Sequence, residues 1–141
     1  MSLYAESSAV LAWLLGDPGS RRARTALAGA DLVVASDLTL VECDRVMLRA
    51  VALDELAEAD AAERRARLNA AATHWHLLRL GPDVLQRARR PFPAEPIRTL
   101  DALHLASALV ARAAVPGLTF LSLDDRLRAS ARELGFSVTP R

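Results

Sequence analysis

The sequence predicts an α/β fold built on a mainly parallel sheet. Three observations predict it. Short apolar runs recur along the chain, at Leu3-Tyr4-Ala5, Leu32-Val33-Val34-Ala35 and Leu118-Thr119-Phe120-Leu121. The second of these shows no polar alternation, as expected of a strand buried on both faces. Stretches of helical spacing separate the runs, which is the pattern of strand–helix–strand units.

Each element follows in order. Leu3-Tyr4-Ala5 is a first strand. Ser7 or Ser8 can cap a helix running to about Leu15, which Gly16-Asp17-Pro18-Gly19 ends. A second helix covers residues 20–28, and Leu32–Ala35 is the second strand. Ser36 or Asp37 then caps a helix over 38–52, followed by a long Ala/Glu/Arg-rich helix over 55–74. Trp75 to Leu80 reads as the third strand, stopped by Gly81-Pro82. A helix over 83–90 leads into a loop marked by Pro91, Pro93 and Pro96. Leu100 to Ala114 reads as a helix, with Leu103, Ala106, Val110 and Ala113 as its buried stripe. Pro116-Gly117 breaks it before the fourth strand, 118–121. A helix over 125–134 and a short last strand, 136–138, complete the chain, with Gly135 between them.

At 141 residues the chain is expected to form one domain over 1–141, long enough to bury a substantial core. Hydrophobic residues make up 52%, with a mean hydropathy of +0.15, which argues against disorder. No apolar run approaches the roughly 20 residues of a membrane helix. The start lacks a basic region, and its first apolar segment already carries Glu6, so no secretory signal is expected. The one cysteine, Cys43, builds no intrachain disulfide framework and reads as a small buried hydrophobe. A cytoplasmic location fits both points.

All 18 basic residues are arginine. That excludes a phosphate-loop lysine, a Schiff-base lysine, and the lysine that completes receiver-type or haloacid-dehalogenase-type aspartate sites. Net charge is +1, but it is unevenly spread. Residues 1–63 carry net −6, and residues 64–98 carry net +6. The basic segment could hold a polyanion beside an acidic part, or it could be an ordinary solvated helix face.

Four acidic residues stand where apolar runs end: Glu6, Glu42, Asp101 and Asp124. In a parallel sheet the carboxyl ends of neighbouring strands open onto one crevice. Carboxylates converging there repel one another, and burial makes the charged forms costlier. Hard Mg²⁺ or Mn²⁺, which take oxygen ligands, are the usual remedy. Each acid also has a plainer reading. Glu6, Asp124 and Asp125 could start helices, and Glu42 could pair with Arg45 and Arg49 on a surface. His104 lies three residues beyond Asp101, on the same side of its helix. It could bond a carboxylate, reach a phosphate, or simply pack. His74 and His76 read as structural or interface residues. No nucleophile with a paired base is evident, which disfavours covalent catalysis.

Four stretches in order resemble the PIN domain, and in particular the VapC-type toxins of prokaryotic toxin–antitoxin pairs. They are LYAESSA from Leu3, LTLVE from Leu38, RTLDALHLA from Arg98 and FLSLDDRL from Phe120. The resemblance covers almost the whole chain. It implies a three-layer sandwich with a central, mainly parallel five-stranded sheet flanked by helices. It implies a Mg²⁺- or Mn²⁺-dependent endoribonuclease acting on RNA. It also implies a homodimer and a cognate VapB-like antitoxin. Glu6, Asp101 and Asp124 would be metal ligands, and Glu42 would bind metal or orient the attacking water. Ser8, Ser122 and His104 would support the site or contact substrate. The family usually has aspartate where Glu6 stands, and often threonine where Ser122 stands. The longer Glu6 keeps a second expectation open: a PIN-fold binding module with weak or no turnover that retains antitoxin or RNA binding. A metal-dependent phosphatase for small substrates is a third.

Overall fold

The computed structural model describes all 141 residues. Five strands form one parallel sheet: β1 (Ser2–Ala5), β2 (Leu32–Ser36), β3 (His76–Leu78), β4 (Thr119–Leu121) and β5 (Val138–Thr139). Their order is β3-β2-β1-β4-β5. The chain winds outward from β1 through β2 to β3, then returns to lay β4 on the other side of β1. Strand order therefore reverses between β1 and β4, and ligands of open α/β sheets bind at such switch points. Ala5 pairs with Leu121, so Glu6 and Ser122 leave the sheet side by side. The Glu6 amide donates to the Leu121 carbonyl at 2.9 Å.

Seven helices cover the sheet. They are α1 (Ser7–Leu15), α2 (Ser20–Gly29), α3 (Asp37–Ala52), α4 (Glu58–Ala72), α5 (Pro82–Ala88), α6 (Thr99–Ala114) and α7 (Asp125–Glu133). Successive strand residues point to opposite faces. Leu3 and Ala5 enter a core with Val10, Leu14, Met47 and Leu68, from α1, α3 and α4. Tyr4 enters the other core with Val84, Leu105, Leu127 and Phe136, beneath α5, α6 and α7. The Tyr4 ring stacks on Phe120, centroids 5.5 Å apart. Both faces are buried, which is why these strands read as unbroken apolar runs. The three-layer sandwich matches the expected architecture.

Several boundaries differ from the sequence reading. Helix α4 starts at Glu58 rather than 55, because Asp54 takes a left-handed backbone (φ 56°) that breaks the helical path. Strand β3 is shorter than 75–80. It is an edge strand whose only partner is β2, over Val34–Ser36. Strand β5 is Val138–Thr139, and Phe136 fills the core instead. The stripe on α6 is also rotated. Ala106 is buried as expected, and so are Ala102, Leu105, Ala108 and Ala111, while Leu103 and Val110 are half-buried and Ala113 is exposed. Its alanines allow close approach, so α6 sinks one wide face between the sheet and α5.

These cores make a stability prediction. Leu105 has no exposure, whereas Leu53 is 53% exposed. Leu105→Ala should cost about 2–5 kcal/mol, and Leu53→Ala less than about 1 kcal/mol. Urea denaturation of both variants measures the contrast, and equal losses would refute this placement of the core.

Candidate functional site

Glu6 emerges from β1 and caps α1, in place of the Ser7 or Ser8 cap that the sequence suggests. Its Oε1 accepts from the Ser8 amide at 3.1 Å. Its Oε2 accepts from the Ser8 hydroxyl at 2.5 Å and the Ser122 hydroxyl at 2.7 Å. Those hydroxyls also accept, Ser8 from the Leu123 amide and Ser122 from the Asp124 amide. The start of α1 and the turn after β4 are thereby tied through one carboxylate. Glu6 is only 4% exposed. Burial raises its pKa, and the Ser8 and Ser122 hydrogen bonds with the charge of His104 offset only part of that.

Glu42 is on α3 and makes no pair with Arg45 or Arg49. Its Oε1 lies 2.5 Å from His104 Nε2 and accepts from the Ser7 hydroxyl at 2.7 Å. An ionised carboxylate only accepts, so Nε2 carries the hydrogen and Nδ1 faces the Tyr4 hydroxyl at 3.2 Å. His104 is on α6 and fully buried. It links a core tyrosine of β1 to an acid on the opposite layer. Burial disfavours the Glu42 charge, but the hydrogen bonds from His104 and Ser7 and the His104 charge outweigh it. The net effect is a lowered pKa. Of the readings open for His104, the structure contains two: it bonds the Glu42 carboxylate, and it packs edge-on against Tyr4 in the core.

Asp101 is in the first turn of α6, and Asp124 is the N-cap of α7. Asp124 Oδ1 accepts from the Arg126 and Leu127 amides at 2.9 and 3.1 Å. Asp101 is ion-paired with Arg98 at 3.7 Å. Burial raises the Asp101 pKa, and the nearby Asp124 charge raises it further. Arg98 and His104 pull it down without reversing the shift. These two acids feel one another as like charges.

The donor chemistry fits a hard divalent cation, since Asp101 and Asp124 offer carboxylate oxygens under mutual repulsion. No group of three or more His, Cys, Asp or Glu side chains is arranged to hold a metal ion. Both oxygens of Glu6 are already engaged, Oε1 by the Ser8 amide and Oε2 by the Ser8 and Ser122 hydroxyls. The four acids are thus held as an aspartate pair, an acid clamped by histidine, and an acid clamped by serines.

Sequence reasoning missed Ser7 as a partner of Glu42 and left the role of the basic segment open. Three of its arginines, all on α4, serve the fold. Arg64 donates to the Leu14 carbonyl, Arg65 pairs with Asp44, and Arg67 stacks over Trp13. Arg87 lies over Phe92. Arg87, Arg89 and Arg90 line a cavity of about 970 Å³ near the carboxyl end of α6, away from the acids. Only Arg98 of that segment meets an acid of the site. Its spacing from Asp101, three residues on a helix start, was the available signal. Cys43 is buried beside Glu42. Burial and the neighbouring acids push its thiol up to about 12, which suits an inert core residue. His74 and His76 are exposed and far along the chain from these contacts.

A family model described as PIN domain matches residues 3–133. Ribonuclease VapC46 of Mycobacterium tuberculosis is 35% identical over 137 residues, covering 97% of this chain and 95% of the relative. Ribonuclease VapC45 of the same species is 29% identical, covering 98% of this chain and 94% of the relative. Among solved structures, VapC20 of M. tuberculosis, described as a sarcin-ricin loop cleaving toxin, superposes with a TM-score of 0.66. It is 16% identical, with 91% of this chain and 94% of that one covered. A toxin–antitoxin complex from Klebsiella pneumoniae gives 0.62 at 19% identity, covering 98% and 96%. At such identities the superpositions speak for the fold alone.

The aspartate pair yields a prediction with a definite sign. The folded-state pKa of Asp101 lies above its unfolded value, so ionisation costs stability. That cost is absent below the ordinary aspartate pKa and grows as pH rises through the folded-state value. In chelator-treated protein, Asp101→Asn should raise the Tm at pH 7 and leave it unchanged near pH 3. Asn retains the capping ability of Asp, so Asp124→Asn should keep α7 capped, whereas Asp124→Ala should lose about 1 kcal/mol. A lower Tm for Asp101→Asn at pH 7 would contradict the like-charge coupling.

Proposed function

The chain belongs to the PIN domain family, and from that premise we propose that it is a metal-dependent endoribonuclease of the VapC toxin type, restrained by a cognate antitoxin. One structural observation carries the reading. Asp101, in the first turn of α6, and Asp124, the N-cap of α7, are close enough to couple as like charges, and Ser122 joins Asp124 to the buried Glu6 where strand order reverses. Coverage of nearly the full length of two relatives named as ribonucleases supports the same reading.

In this reading Asp101 and Asp124 hold Mg²⁺ or Mn²⁺, with Glu6 as the third ligand. Bound there, the cation would acidify a water and neutralise charge on phosphorus during in-line displacement. Glu42 is the group suited to orient that water and accept its proton. His104 and Ser7 fix its Oε1 and keep it ionised. Ser8 and Ser122 position Glu6. Arg98 balances acidic charge near Asp101 and can turn to a phosphate, and its planar fork suits that task.

The same reading places the protein in the cytoplasm as a homodimer, and no helix is long and apolar enough to cross a membrane. Val41, Val46, Leu48 and Leu53, on and just after α3, are exposed apolar residues, and the antitoxin and dimer contacts are proposed to draw on them. Met47 is fully buried and cannot belong to that surface. A binding module without turnover is the second reading, and the engagement of both Glu6 oxygens with serines favours it.

Cleavage of a mixed single-stranded RNA pool separates the two. With Mn²⁺ or Mg²⁺ the wild type should cut, and chelator should stop it. Asp101→Asn should abolish cutting, and Glu42→Gln should slow it by about 10²–10⁴-fold. Intact RNA after prolonged incubation with either metal would favour the binding module.

A further inference from the structure

Beside Asp101 the surface opens into a cavity of about 240 Å³ between the 94–98 loop and α7. Its walls include Pro96, Ile97, Leu127 and Ala129, all apolar. Arg98 and Arg126 also line it, with Asp101 at the same place. The loop wall is braced. The Glu95 carboxylate accepts from the Phe92 amide at 2.9 Å and the Ile97 amide at 2.7 Å. Phe92 anchors it by being buried in the core.

The geometry points to this cavity as the seat of a single RNA base, that of the nucleotide next to the cleaved phosphodiester. The inference rests on the nuclease reading and names a subsite of it. The chemistry of the walls sets the occupant. Apolar surfaces accept the face of a base, which single-stranded RNA can splay out of its stack. The two guanidinium groups suit the flanking phosphates, and Arg grips such oxygens in a planar fork. The volume is below the roughly 300–1,000 Å³ of pockets that take drug-sized ligands, so it holds one base-sized group and not a stacked pair. Continuity with Asp101 puts that base beside the reacting phosphate. Arg126 directly follows Asp124-Asp125, so one helix start supplies both an acid of the centre and a cation of the subsite.

Two variants test it. Ala129 is exposed on α7, so Ala129→Trp can fill the cavity without entering the core. Arg126→Gln is a second, milder change at an exposed position. Binding of a short fluorescent single-stranded RNA is read by anisotropy in metal-free buffer, and cut sites are mapped on the mixed RNA pool. Both variants should weaken binding about tenfold. In addition, Ala129→Trp should erase the wild type's base preference at one position beside the cut, and Arg126→Gln should flatten the salt dependence of binding. Wild-type affinity in both variants would overturn the subsite, whether or not the protein cleaves RNA. Cleavage that keeps the wild-type cut pattern in Ala129→Trp would overturn it too. Absence of cleavage by the wild type, with binding lost in the variants, would instead reject turnover and leave a base-binding cavity in place.

Discussion

The arrangement hinges on a buried carboxylate at the point where strand order reverses. Glu6 follows β1 directly, and its amide is bonded to the last residue of β4. Its side chain is held by Ser8 and Ser122, whose hydroxyls in turn accept from amides of the turn after β4. A buried charge without such donors would be prohibitively costly, and the hydrogen bonds reduce that cost without removing it. The turn they fix ends in Asp124, and Asp124 caps α7. The position of one acid is thus set by the hydroxyls that satisfy another.

The remaining groups come from both helical layers. Glu42 is carried by α3 on one face, and Asp101 and His104 by α6 on the other. The bond between His104 and Glu42 joins the two layers near the carboxyl end of β1. His104 therefore serves fold and site together, because its ring also packs edge-on to Tyr4, whose hydroxyl it meets. Each acid sits in a different electrostatic setting. Glu42 is kept ionised, while Glu6 and Asp101 are pushed towards protonation. Groups whose environments push their pKa values apart are those that divide labour in catalysis.

Much of this was legible in the sequence. Strand runs without alternation pointed to the buried parallel sheet, and the ends of those runs placed Glu6 after β1 and Asp124 after β4. Side-chain partnerships were not legible. Ser7 and Ser8 looked like helix caps, because an N-cap acid and an N-cap serine leave the same local signal. His104 could pack or bond, and it does both because Glu42 on α3 reaches its ring while Tyr4 packs against it. The basic segment looked like one surface in sequence, yet α4 spends its arginines on helix contacts while Arg98 alone turns to the acids. Charge counts along a chain cannot register which face each residue occupies. The stripe on α6 was misplaced by about one position for a similar reason: alanine-rich faces pack wherever the backbone can come closest.

The proposed function requires that a divalent cation relieve the repulsion between Asp101 and Asp124. Titration calorimetry of Mn²⁺ into chelator-treated protein, in two buffers of different ionisation enthalpy, tests this most directly. Saturable binding with net proton release near pH 5, and a higher Tm in the loaded protein, is the predicted result. Absence of saturable heat, or binding with no proton released and no change in Tm, would contradict it.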